Sequence, residues 1–118
     1  MQRDADCGNA FAGGSDLLVI EADESDGSLV RYAPAVGVIL NLQRDHKEMT
    51  EVAEMFAVLR ARSRETLVVG EDENLDMLAG GTLRFGFGPR ADIRGQNVEL
   101  VSAGSRFQVE QVRFSLPV

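Results

Sequence analysis

Apolar runs of four or five residues recur along this chain, and a helix-periodic stripe stands between two of them. Val36-Gly37-Val38-Ile39-Leu40 and Thr66-Leu67-Val68-Val69 are continuous and bounded by polar or turn-forming residues, the pattern of strands buried on both faces. Between them, Val52, Met55, Phe56 and Leu59 fall at i, i+3, i+4 and i+7 and mark one face of a helix. Thr50 is the expected N-cap, and Glu51 follows in the first turn, where a carboxylate suits the helix dipole. Arg60, Arg62 and Arg64 cluster near the other end, where cations are favoured. Strands alternating with helices imply a mostly parallel sheet with helices on its faces.

The same reading extends along the chain. Residues 1–16, rich in Gly, Ala and Asp, read as a loop or tail. Leu17-Leu18-Val19-Ile20 reads as another strand buried on both faces. Asn74 is the expected cap of a brief helix through Leu78 and Ala79, stopped by Gly80-Gly81. Leu83-Arg84-Phe85-Gly86-Phe87 reads as a further strand, closed by Gly88-Pro89. Near-alternating Val98, Leu100, Phe107, Val109, Val112 and Phe114 surround Ala103-Gly104-Ser105 and predict a β-hairpin with one half-exposed face. The expected fold class is α/β, a mostly parallel sheet flanked by helices with a C-terminal β-hairpin. All 118 residues form a single partial domain: tail to residue 16, core over 17–88, hairpin segment over 89–118.

Composition narrows the function classes. A net charge of −7 repels a phosphate backbone, so nucleic-acid binding is not expected. No apolar run approaches the roughly 20 residues of a membrane-spanning helix, and no membrane association is expected. The polar start Met1-Gln2-Arg3-Asp4 has no signal-peptide character. The single Cys7 excludes an internal disulfide and fits a reducing cytoplasm.

In open parallel sheets, ligands bind at the carboxyl ends of the strands. Two expected strand ends carry polar clusters, Glu21 to Asp26 and Asn41 to His46. A carboxylate past one strand and an imidazole past another could converge on a hard cation. Mg²⁺ favours oxygen ligands and often takes one or two protein groups plus substrate phosphates; histidine is a less usual ligand for it. Solvated acidic loops and a capping histidine are the plainer reading of the same spacing.

The wording of the clusters adds to their spacing. Glu21-Ala22-Asp23-Glu24-Ser25-Asp26-Gly27-Ser28 resembles the E-A-D-E-S-D-x-S stretch of Mur ligases, above all the branch that adds L-alanine to UDP-N-acetylmuramate. Pro34, Asn41-Leu42 and Asp45-His46 follow in the order and approximate spacing of that family's P…T-N-[IL]-x-x-D-H-x-D segment. Gly8-Asn9-Ala10 and Gly13 resemble the family's preceding loop. Two positions depart: Leu40 stands where the family usually has Thr, and Lys47-Glu48 where it has Leu-Asp.

The resemblance implies a piece of a central, ATP-hydrolysing domain. Mur ligases phosphorylate a substrate carboxylate with ATP, and the amine of an amino acid then attacks the acyl-phosphate to give an amide. Carried over by position, Glu21 would help bind Mg²⁺ at the ATP phosphates, and His46 a second Mg²⁺ near the acyl-phosphate. Asn41 and Asp45 would shape the cofactor-binding loop. Asp23, Glu24 and Ser25 would lie on the nucleotide-sugar side. Nucleotide sugar and amino acid would be met through further domains, with the oligomeric state open. The 118 residues hold no G-x-x-x-x-G-K-[ST] phosphate loop. The isolated chain is therefore expected to have no catalytic residues of its own and to be inactive, a fragment of a larger enzyme. Two rivals remain: a receiver-like signalling domain and a non-catalytic α/β binding module with solvated acidic loops.

Overall fold

The computed structural model describes residues 13–43, 48–78 and 80–117. Its sheet has six strands in sequence order: β1 (Val36–Ile39), β2 (Thr66–Gly70), β3 (Leu83–Gly86), β4 (Ile93–Val101), β5 (Gly104–Val109) and β6 (Val112–Pro117). Strands β1 to β4 pair in parallel, and β4 to β6 pair antiparallel. One α-helix, α1 (Met49–Arg62), makes the crossover from β1 to β2. A 3-10 turn over Glu73–Leu78 lies in the connection from β2 to β3. The α/β class, with mostly parallel strands first and an antiparallel end, is as the apolar periodicity predicts. At the end, the expected hairpin about Ala103-Gly104-Ser105 is the β4–β5 pair, and a second turn adds β6, making a three-stranded meander.

One face of the sheet is covered. Gly37 pairs with Leu67 and Ile39 with Val69, so the side chains of Leu67, Ile39 and Val69 share that face, and Gly37 leaves room there for Leu67. Val52, Phe56 and Leu59 of α1 pack there with Leu75 and Leu78 of the 3-10 turn, and Leu29 and Leu42 complete the core. The expected stripe holds, with Met55 half-buried at its margin. Gly70, at the end of β2, passes directly beneath the Leu40 carbonyl, where a β-carbon would collide with backbone.

The expected strand at Leu17, Leu18, Val19 and Ile20 is corrected. These residues form no strand and are 52–91% exposed. An apolar run becomes a strand only where a neighbour takes its backbone groups, and none of the described residues pairs with this one. Two caps also differ. The helix begins one residue before Thr50, with Glu48 at the N-cap and no side-chain cap bond. Asn74 lies inside its 3-10 turn, and Asp72 caps it instead: Asp72 Oδ1 accepts the Asn74 N–H at 2.9 Å.

Candidate functional site

The carboxyl ends of β1, β2 and β3 open into a groove of about 790 Å³. Leu40, Asn41 and Gln43 form the wall after β1, residues 70–74 the floor after β2, and residues 85–88 the wall after β3. A groove there follows from parallel topology, since every strand ends on the same rim before its crossover. Leu42 points into the core at 1% exposure. Its neighbours Leu40, Asn41 and Gln43 are exposed along the rim.

Both walls are tied to the residues that leave β2. Asp72 Oδ2 accepts the Leu42 N–H at 2.7 Å, and Asn74 Nδ2 donates to the Leu42 carbonyl at 3.1 Å. Glu71 accepts the Gly88 N–H at 2.7 Å through Oε2 and the Arg90 N–H at 3.0 Å through Oε1. One oxygen of Asp76 receives both Arg84 Nη2 at 2.6 Å and Arg90 Nη2 at 2.7 Å. The hydrogen bond from Arg84 does most to hold the Asp76 carboxyl below its ordinary value, helped by Arg90. Arg84 Nη1 lies buried without a hydrogen-bond partner among the described residues.

The residues singled out from the sequence divide into three groups. Asn41 lines the groove. Asp45 and His46 lie outside the described residues. Glu21, Asp23, Glu24 and Ser25 lie apart from the groove lining, in the turn before the 3-10 segment Ser28–Arg31. That turn is locally bonded: the Ser25 N–H donates to Asp23 Oδ1 at 2.8 Å, the Gly27 N–H to the Glu24 carbonyl at 3.1 Å, and the Ser28 N–H to Asp26 Oδ1 at 2.7 Å. Ser28, through its side chain and then its backbone, lowers the Asp26 carboxyl from its usual range. Glu21 is exposed at the start of the turn. Among the described residues, no three His, Cys, Asp or Glu side chains converge as a metal cluster.

Sequence reasoning missed Glu71, Asp72 and Asn74 as groove residues. The signal was present, because Glu71-Asp72-Glu73-Asn74 follows a predicted strand just as the two favoured clusters do. The rule that ligands gather at carboxyl ends applied to this strand equally.

No family model matches the chain. It is 37% identical over 114 residues to the UDP-N-acetylmuramate–L-alanine ligase of Stenotrophomonas maltophilia, covering 85% of this chain and 23% of that protein. The enzyme of the same name from Salinibacter ruber is 31% identical over 112 residues, covering 86% of this chain and 24% of its own length. That of Thermobifida fusca is 44% identical over 68 residues, covering 54% of this chain and 14% of its own length. The chain thus spans about a quarter or less of the relatives it matches. No helix among the described residues is long and apolar enough to cross a membrane.

Proposed function

Because the chain belongs to the Mur ligase family, we propose that it is part of the central ATP-handling domain of an enzyme joining an amino acid to a UDP-N-acetylmuramate-type carboxylate. Such an enzyme serves peptidoglycan synthesis in the cytoplasm. The supporting observation is the groove at the carboxyl ends of β1, β2 and β3, with Asn41 on its rim. That is where a parallel sheet presents a nucleotide or its substrate.

The donor chemistry suits Mg²⁺, which accepts a carboxylate or two and completes its shell with water and phosphate oxygens. Exposed Glu21 supplies such a carboxylate, and His46 would serve a second ion. The ion would offset charge developing on phosphoryl oxygens. Asn41 and Asp45 would orient the loop that carries His46. Asp23, Glu24 and Ser25 would face the nucleotide sugar across a turn whose backbone is already fixed by its own hydrogen bonds.

The 118 residues have no phosphate-binding loop, so this chain alone is inactive and binds Mg·ATP weakly. Isothermal titration should show no micromolar binding, and micromolar affinity would refute the dependence on residues elsewhere. Mn²⁺ titration tests the cation site. It should broaden the resonances of both Glu21 and His46, each beside its own ion, and a lack of effect on either one removes that ion's site.

A further inference from the structure

Two consecutive carboxylates leave β2, and each holds two backbone N–H groups. We propose that Asp72 and Glu71, with Asn74, are the positioning residues of the groove: Asp72 and Asn74 fix the loop presenting Asn41, and Glu71 fixes the loop presenting Phe87. This deepens the reading above and rests on it for the identity of the ligand, while the positioning itself rests on the hydrogen bonds.

Leu42 is held at three points. Its N–H goes to Asp72, its carbonyl to Asn74, and its side chain into the core. Its neighbour Asn41 is left on the rim with little freedom in its backbone. The other Asp72 oxygen caps the 3-10 turn, whose Leu75 and Leu78 are 0% and 3% exposed. The loop after β1 is therefore referred to the core through one carboxylate.

Glu71 does the same on the opposite side. Its own N–H donates to the Phe85 carbonyl at 3.0 Å, and its carboxylate reaches across to Gly88 and Arg90. A β-carbon at Gly86 would collide with the Glu71 side chain, and one at Gly88 would stand 2.8 Å from Oε2. Those two glycines leave the carboxylate its place. Phe87 between them is 61% exposed at the groove wall. All four oxygens of the pair serve backbone donors, which leaves direct ligand contact to the walls they hold.

The test uses Asp72→Asn and Glu71→Gln in the full 118-residue chain. Each change replaces one acceptor oxygen with a donor at nearly constant volume, so one N–H of each pair loses its partner. Hydrogen exchange should rise about tenfold at Leu42 or Asn74 in Asp72→Asn, and at Gly88 or Arg90 in Glu71→Gln, as loss of one charge-assisted hydrogen bond implies. Exchange at Leu67 and Val69 within β2 should stay as in the wild type. The Asn41 side-chain amide resonances should move in Asp72→Asn and hold in Glu71→Gln. Mn²⁺ broadening of Asn41, if present in the wild type, should weaken several-fold in Asp72→Asn alone.

Exchange rising equally across the sheet in both variants would make the pair merely structural and overturn the proposal. Unchanged exchange at Leu42 and Asn74 would overturn it as well. Absence of Mn²⁺ broadening in the wild type would count against the cation reading alone, with the exchange pattern still deciding the positioning role.

Discussion

At Gly70 the chain leaves β2 under the Leu40 carbonyl, and no side chain fits there. The obstacle is backbone, which cannot turn aside as a flexible side chain can. Gly70→Ala should cost about 2–3 kcal/mol, the upper part of the range for a forced core clash, seen as a lower urea midpoint. Gly86→Ala meets the Glu71 side chain instead and should cost less, roughly 1–2 kcal/mol, by displacing it. Equal costs would mean that the two obstacles yield alike. Asp76 and Asp26 each add a small acid-sensitive contribution to stability. Their folded carboxyls are held below the ordinary value of 3.8. A carboxyl lowered by folding stabilises above its unfolded value and loses that contribution as pH falls through its folded value. The melting temperature should thus be flat near neutrality and fall below about pH 4. Asp76→Asn should flatten part of that fall, and an unchanged acid profile would remove the Asp76 contribution.

At the scale of elements, α1 is the piece most completely written in local sequence. Its apolar spacing set its face, and Val52, Phe56 and Leu59 are buried as the stripe requires. Phe56→Ala should cost about 3–4 kcal/mol, a large share of the roughly 5–15 kcal/mol of an ordinary domain; the urea midpoint should fall clearly, and an unchanged midpoint would mean that the α1 face contributes little. Its start was less legible. Thr50 has the chemistry of a cap, yet the chain enters helix one residue earlier and leaves Glu48 at the N-cap without a side-chain bond. Glu48→Ser should therefore stabilise by roughly 0.5–1 kcal/mol, raising the urea midpoint, and a lowered midpoint would mean that Glu48 has a use elsewhere. The expected strand at residues 17–20, which does not form, shows the opposite limit. Its composition is that of a buried strand, but strand formation depends on a neighbour that composition does not specify.

For the molecule as a whole, the sheet has one covered face and one open face. Val36 and Val38 are 45% and 55% exposed, and Leu83 is 42% exposed. Pairing places Val38, Val68 and Leu83 on that open side. In the meander, Phe107 pairs with Phe114 and their rings stack at 5.1 Å, while Phe114 stays 42% exposed. Parallel strands normally have layers on both faces, and a bare apolar surface of this kind attracts hydrophobic probes. The chain should enhance the fluorescence of an anilinonaphthalene dye under native conditions. A double change, Val36→Lys with Val38→Lys, should reduce that signal while leaving the α1 face intact. Equal dye binding by both proteins would place the accessible apolar surface elsewhere.

The local pattern alone determined the class of fold, the helix α1, the strands β1 to β3, the turn between β4 and β5, and Asn41 as a residue at a strand end. These follow from spacing along the chain, where neighbours in sequence are neighbours in space. Only the tertiary structure decided that Leu17 to Ile20 stay unpaired among the described residues, that β6 adds to the hairpin, and that Glu71 and Asp72 bind both groove walls. Each of those depends on groups brought together by folding, such as Asp72 to Leu42 across 30 residues. A carboxylate's choice between solvent and a distant backbone N–H is fixed by that approach, and no short window of sequence contains it.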